Sequence, residues 1–392
     1  MRRVRALHLL FAFPFMASAS SGFDGAELLT LRSTVLGEER VFAVMTPTTY
    51  SRGQERYPVL YLTDGDAHLG HAWATAQFLA RINLMPEVIL VGIPNTSRSR
   101  DLTPTPGTAE ERAAFLNAGG GERFLDFIEH ELVPAVDARY RTVPLRLYAG
   151  HSLGGLLGVH ALLTRPGLFQ AVVAASPSLA WDDALPLREA RALKGGGAPG
   201  PRSLYVTLGG HEASPQDLDD FKTFAKVMRT IPWPNFDWTW QVLPEEDHVS
   251  GVLLAYYFGL RHVFGGWQMP EETHTGGLAS LATVLAHYQD LSSRWGYRVP
   301  PPEASVNLLG YDALKRGATG EALDLFRFNV ASHPDSANAY GSLGVALERA
   351  DQLAAARESF RQAVQLAEKS ADPLLTVLRA HFESLDQRFR TR

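Results

Sequence analysis

The stretch Leu145-Arg146-Leu147-Tyr148-Ala149-Gly150-His151-Ser152-Leu153-Gly154-Gly155 decides how the rest of the chain is read. A largely apolar run, Leu145 to Ala149, leads into it, and a second, Leu156 to Leu163, leads out. Strand, tight turn and helix is the setting in which a G-x-S-x-G element presents a serine hydroxyl. The glycines have a physical reason to be there. A serine in so sharp a turn needs neighbours without a Cβ, so that strand and helix can close on each other. The following helix then brings its unpaired N–H groups and positive dipole end to the reacting centre.

Around this stretch, β-rich and helix-rich segments alternate from Leu29 to about Gly266, the pattern of a layered α/β fold with a mostly parallel sheet. Strands are expected at Val41–Met45, Tyr57–Leu62, Glu87–Ile93, Leu145–Ala149, Ala171–Ala175, Ser203–Leu208 and Trp238–Leu243, and helical spacing runs over Glu122–Val136. The Glu87–Ile93 run is almost unbroken in apolar character, as a strand buried on both faces requires. Gly195 to Pro201 reads as a surface loop.

A serine nucleophile needs a base to take its proton and a third group to orient that base. In the α/β-hydrolase order these follow as serine, acid, histidine, each in a loop beyond a strand. His248, directly after the last strand in Leu243-Pro244-Glu245-Glu246-Asp247-His248, fits the base. His68 and His71 precede the serine, and His262 falls in a helix. His151, next to Ser152, is expected to point away from the site. Glu212, in the loop after Gly209-Gly210, is the first choice of acid. Asp217, Asp247 and a dyad without a tight acid stay open beside it. The oxyanion hole calls for two backbone N–H groups. Leu153 supplies one, and the Asp64-Gly65-Asp66 turn the other, from Asp66 first and Gly65 second. Arg98 and Arg100 would bind an anionic substrate group or tie down a loop by ion pairing. Trp181 would line an acyl or aromatic pocket or serve packing.

Composition bounds the reading. Among 392 residues, 45% are hydrophobic and 20% charged, enough for a full globular core. The net charge of −5 gives no sign of a nucleic-acid partner. With no cysteine, disulfides, thiolate catalysis and Cys-ligated zinc are excluded, and no His/Asp/Glu cluster has metal-ligand spacing, so neither metal nor cofactor is expected. Met1 to Arg5, the apolar Ala6 to Met16 and Ala17-Ser18-Ala19 read as a signal peptide over residues 1–19, implying a periplasmic or secreted protein. The apolar stretch is too short to span a bilayer, and no later segment is long enough.

Four parts follow: the signal, an α/β-hydrolase region over 23–266, a helical connector over 267–302 with a helix at Leu278–Trp295, and repeats over 303–392. Leu309-Gly310, Ala322 and Phe326 recur as Leu343-Gly344, Ala356 and Phe360, each 34 residues on (343−309, 356−322, 360−326). That period is the tetratricopeptide signature. Leu374–Phe389 would cap the stack, which has too few repeats to stand without leaning on the connector or the hydrolase region.

From about Val41 to Phe264 the chain resembles the putative esterase family of α/β-hydrolases, which includes esterase D-like enzymes and esterases of catecholate siderophores such as enterobactin. The resemblance rests on Tyr61-Leu62-Thr63-Asp64-Gly65-Asp66, Arg100-Asp101-Leu102-Thr103-Pro104, Gly119-Gly120-Gly121-Glu122-Arg123-Phe124, the Ser152 turn, Ser176-Pro177-Ser178 with Trp181, and Asp247-His248. It implies a serine hydrolase of carboxylic esters with Ser152 as nucleophile and His248 as base, acting on a small-molecule ester. It settles neither the acid nor the substrate. The repeats resemble a bacterial arrangement in which such an esterase carries tetratricopeptide helices, which would offer a surface to a protein partner. The alternatives are a siderophore esterase with Arg98 and Arg100 on the catecholates, an acyltransferase whose site excludes water, and a binding protein in which the repeats carry the function.

Overall fold

The computed structural model describes residues 25–51, 53–193, 200–268 and 280–390. The expected signal peptide, residues 195–199 of the expected loop and residues 269–279 of the expected connector lie outside them. Eight strands form one sheet: β1 (Glu27–Arg32), β2 (Glu39–Met45), β3 (Tyr57–Thr63), β4 (Ile89–Ile93), β5 (Thr142–His151), β6 (Ala171–Ala175), β7 (Arg202–Gly209) and β8 (Phe236–Leu243). Their order is β1-β2-β4-β3-β5-β6-β7-β8. The first two are antiparallel, β2 runs antiparallel to β4, and the rest are parallel. The fold is that of the α/β-hydrolases, with helices on both faces.

The alternation of side chains along each strand divides the core. Leu60, Leu62, Leu147, Ala149 and Val173 face helices Gly65–Arg81 and Gly251–Val263. Val59, Tyr61, Tyr148 and Val172 face the other way, onto helix Leu153–Thr164 and the helix beginning at Gly121. In β3, β4 and β6 every residue is buried, which is why their sequences read as unbroken apolar runs. Helix Leu153–Thr164 is buried at every position from Leu153 to Leu163 and over that span is apolar except for His160, as suits a helix enclosed by protein.

Two local features depart from expectation. β1 lies outside the expected strands: it is a half-exposed edge, and its alternation is shared between a weak inward face and Glu27, Thr30 and Arg32. The expected Glu122–Val136 helix is two helical segments, Gly121–Phe127 and Val133–Arg139, joined by a π-helical turn at Ile128–Leu132. Pro134 is the reason. It has no N–H for the carbonyl four residues back, and its ring crowds that carbonyl, so the turn widens.

After the sheet, helix Leu281–Trp295 is capped by Ser280 and stopped by Gly296 in the left-handed region. Its buried stripe of Val284, Tyr288, Leu291 and Trp295 belongs to the same core as helix Gly251–Val263. Trp295 lies on Phe264 at 5.7 Å between centroids, and Arg294 Nη1 donates to the Gly265 carbonyl at 2.6 Å. Helices Glu303–Lys315 and Thr319–Ser332 form one hairpin, Ala337–Arg349 and Leu353–Ser370 a second, and Leu375–Arg390 closes the stack. The sequence period is visible in space: a Cβ on Gly310 would strike the Phe326 ring, and one on Gly344 would strike Phe360 at 2.8 Å. Among the described residues no helix is long and apolar enough to cross a membrane.

His160, buried in helix Leu153–Thr164, has Nδ1 2.7 Å from Glu189 Oε1 and Nε2 2.6 Å from Glu122 Oε1. Both acceptors are carboxylates, so both ring nitrogens donate and the ring is an imidazolium. Burial opposes that charge, but the bonds to Glu189 and Glu122 outweigh it and raise the pKa above the ordinary 6.5. A raised folded pKa stabilises fully below the unfolded value and is lost as pH rises through the folded one. The melting temperature of the wild type is therefore expected to fall as pH rises above about 6.5, and that of His160→Gln to fall less. Parallel curves for the two proteins in a calorimetric pH series would contradict this.

Candidate active site

β5 ends in Gly150-His151, and the chain turns at Ser152 with φ 58° and ψ −114°. Few non-glycine residues hold such a backbone, which costs on the order of 1–3 kcal/mol and persists only where its surroundings enforce it. Here they do. A Cβ on Gly150 would lie 2.5 Å from the Gly154 backbone, and one on Gly154 would lie 2.6 Å from Thr63 Oγ1. Ser152 N donates to Ala175 O at 2.9 Å and Leu156 N to Ser152 O at 2.9 Å, so the turn is bonded to β6 and to its own helix.

Two helix N-termini meet at this point. Leu153 opens helix Leu153–Thr164, and Gly65 and Asp66 open helix Gly65–Arg81, whose cap Asp64 has a left-handed φ of 53°. Ala67 N and His68 N donate to Asp64 O. The Leu153, Gly65 and Asp66 amides precede the first intrahelical bonds and are available to an anion. Gly65 is required by contact: a Cβ there would lie 2.7 Å from the backbone of Gly92 and Ile93 in β4. Gly154, against Thr63 Oγ1 and Asp64, holds the two termini together.

Glu212 and His248, the expected acid and base, come from the ends of β7 and β8. Gly209 and Gly210 press directly on the next loop, where a Cβ would meet Asp247 O at 2.7 Å or the Pro244 Cα at 2.7 Å. Gly210 N donates to Leu243 O at 2.7 Å, and His211 N to Glu246 O at 2.9 Å. This docking brings Glu212 Oε2 into a hydrogen bond from His248 Nδ1. Glu212 Oε1 accepts from Gly209 N at 2.7 Å and from Ser176 Oγ. Burial pushes the Glu212 carboxyl up, but the bonds from His248 and Ser176 more than offset it and hold it below its ordinary value. A carboxylate only accepts, so His248 Nδ1 carries the proton and Nε2 remains as the basic nitrogen. Asp217 and Asp247 have local tasks instead. Asp217 completes a capping box with Ser214, and Asp247 Oδ1 accepts from Val249 N and Ser250 N at 2.8 Å each.

Other expected site residues are placed differently. Arg98 donates to Asp64 through Nε at 2.7 Å and Nη2 at 3.0 Å, and to the His151 carbonyl at 3.2 Å. Arg100 is bonded to Glu38 and Asp101, and Asp101 in turn to the buried Arg40 at 2.6 Å. Both guanidiniums are thus paired with carboxylates of this chain, as the loop-tying alternative would have it. Trp181 is buried, edge-on to Phe115, with its Nε1–H donating to Thr105 at 3.3 Å. His151 does not point away. Its Nε2 lies 2.6 Å from the His248 carbonyl oxygen, and the two rings are 4.6 Å apart. Strand alternation would send neighbours to opposite faces, but the backbone reversal at Ser152 ends that alternation. Ser176, with φ 40°, bonds Glu212 although sequence reasoning gave it no role of its own; its signals were its place at the carboxyl end of β6 and in the Ser176-Pro177-Ser178 stretch of the resemblance.

The family model described as Putative esterase matches residues 33–242, more than half of the 392. The siderophore triacetylfusarinine C esterase of Aspergillus fumigatus is 39% identical over 153 residues, 36% of this chain and 50% of that protein. The ferri-bacillibactin esterase BesA of Bacillus subtilis is 35% identical over 144 residues, 32% of this chain and 49% of that one. The chain thus spans about half the length of these curated relatives. Among solved structures, an IroE-like serine hydrolase from Shewanella oneidensis has a TM-score of 0.67 at 29% identity, covering 78% of this chain and 98% of that one. An uncharacterised protein from Capnocytophaga ochracea shares the fold with a TM-score of 0.60 at 16% identity, covering 91% of this chain and 99% of the other.

If Glu212 fixes the tautomer of His248, Glu212→Gln lowers kcat of ester cleavage on the order of a hundredfold or more, with KM little changed. Asp247→Asn, which alters only a local turn, changes kcat by less than about tenfold. Comparable losses in steady-state kinetics would remove Glu212 from this role.

Proposed function

This chain belongs to the Putative esterase family, and from that premise we propose that it hydrolyses carboxylic esters through an acyl-enzyme on Ser152. The observation that carries the proposal is the pairing of Glu212 with His248, which is bonded by His151, the neighbour of a serine held at φ 58° where two helix N-termini approach. Ser152 Oγ attacks the ester carbonyl carbon as its proton passes to His248 Nε2. The carbonyl oxygen becomes an oxyanion, held by the Leu153 amide and by Asp66 or Gly65. Collapse of this intermediate breaks the ester C–O bond, and the alcohol leaves with the proton from His248. Water then adds to the acyl-enzyme, giving its proton to His248, which returns it to Ser152 as the acid is released.

For the substrate, the relatives named as siderophore esterases support an ester of that class. Arg98 and Arg100 add no support for recognition through anionic catecholates, because Asp64, Glu38 and Asp101 already occupy them. The signal-like residues 1–19 support a site of action in the periplasm or outside the cell. The helical hairpins with their 34-residue period support a tetratricopeptide-like appendage that receives a peptide partner.

A panel of p-nitrophenyl esters of rising chain length, run on wild type and Ser152→Ala, tests the chemistry: the variant is expected to be inactive, and equal turnover would sink the proposal. Arg98→Ala leaves the buried Asp64 carboxylate with only the Asn95 amide bonded to it, a loss of about 1–3 kcal/mol because Arg98 is itself partly exposed. It is expected to lower the melting temperature and to slow small aryl esters and a siderophore ester alike. Selective loss on the siderophore ester would instead make Arg98 a substrate contact.

A further inference from the structure

His151 precedes the nucleophile, yet nothing in the proposed chemistry uses it. It is 8% exposed. Its ring is packed between His248, at 4.6 Å, and His68, edge-on at 5.5 Å. Its Nε2 lies 2.6 Å from the His248 carbonyl oxygen. A carbonyl only accepts, so the proton is on Nε2 and the imidazole is the donor. The charged and titratable groups around it are His248, His68, Asp64 and Arg98, and the last also bonds the His151 carbonyl. Burial, with His248 and His68 adding to it, drives the His151 pKa down to about 3, so the ring is neutral at working pH.

We propose that His151 is a positioning residue that holds the main chain of the catalytic base to the nucleophile turn through its Nε2–H. This rests on the reading of Ser152 and His248 as nucleophile and base. The geometry gives it a specific task. The imidazole of His248 is fixed at Nδ1 by Glu212, but that bond alone leaves the ring free to swing about the Glu212 oxygen. The bond to its carbonyl supplies a second anchor. Because the anchor belongs to the residue covalently joined to Ser152, the separation of nucleophile and base is set by one peptide link and one hydrogen bond. Neutrality matters as well. Ester attack makes His248 an imidazolium, and a charged ring at 4.6 Å would oppose that step, whereas a neutral donor to the carbonyl does not.

The test compares His151→Gln with His151→Phe. Gln places an amide N–H near the position of Nε2, and Phe keeps the ring packing without a donor. His151→Phe is expected to lose ten- to a hundredfold in kcat with KM within about threefold of wild type. His151→Gln is expected to recover most of that loss. Equal kcat in Phe and wild type, or Gln no better than Phe at matched melting temperatures, would overturn the proposal. Should Phe fail to fold, 15N-histidine NMR of the wild type decides: a neutral Nε2–H ring at position 151 from pH 5 to 8 is expected, and a ring that titrates within this range, or carries its proton on Nδ1, would overturn it. Fluorophosphonate labelling of Ser152 separates this from the underlying chemistry. An unlabelled wild type refutes the serine mechanism, whereas a labelled wild type with an unimpaired His151→Phe refutes only the role of His151.

Discussion

Strand β5 and the helix behind it approach until a Cβ on Gly150 would lie 2.5 Å from the backbone of Gly154, and no side chain fits between them. The rest of the site depends on that contact. It forces the turn, the turn forces the φ of Ser152, and the strain is borne by bonds from Ser152 N to β6 and from Leu156 N into the helix. The same closeness brings Gly154 against Thr63 and Asp64, so the second helix N-terminus arrives beside the first. Two sets of unpaired amides then converge on one small volume. A wider residue at either glycine would separate them, and the oxyanion donors would no longer share a target.

Charge is handled by pairing rather than by exposure. Asp64 lies buried under the oxyanion turn, where its carboxylate would oppose a developing oxyanion. Arg98 cancels it through two hydrogen bonds and reaches on to the His151 carbonyl, linking the turn after β3 to the end of β5. At the other end of the site the Glu212 charge is spread over His248, Ser176 and the Gly209 amide. The carboxylate is thereby held ionised, and its geometry is fixed from three directions. Ser176 adds stiffness without touching the base: it anchors Glu212 from β6, between the strands that carry the nucleophile and the acid.

Much of this was legible in the sequence, and the limits are physical. Runs such as Glu87–Ile93 and Ala171–Ala175 declare buried parallel strands because both faces are apolar. Ser152, Glu212 and His248 could be singled out because chain order and strand ends constrain them, and the fold brings Glu212 and His248 into contact. β1 was missed because an edge strand needs only half a pattern. The widening at Ile128–Leu132 follows from Pro134, which the sequence contains, but helical periodicity does not distinguish a π turn from an α turn. The arginines were read through their charge, and charge alone does not tell a substrate contact from a partner to Asp64 or Glu38; only the fold decides who stands opposite. His151 was misplaced for a related reason. The rule of alternation holds inside a strand, and this residue sits where the strand stops.

The helical C-terminal part bears on the same chemistry through one helix. His248 lies three residues before Gly251, where helix Gly251–Val263 begins, so the loop of the base is continuous with it. The far end of that helix, at Phe264, is covered by Trp267 and Trp295, and the connector helix adds the Arg294 bond to Gly265. Beyond the connector, Val306, Leu309 and Phe326 continue the same core. In mechanical terms the connector is therefore more than a link. It covers the end of the helix whose beginning follows His248, and any tilt of that helix would be resisted from one end by the connector and from the other by the bonds of His248 to His151 and Glu212.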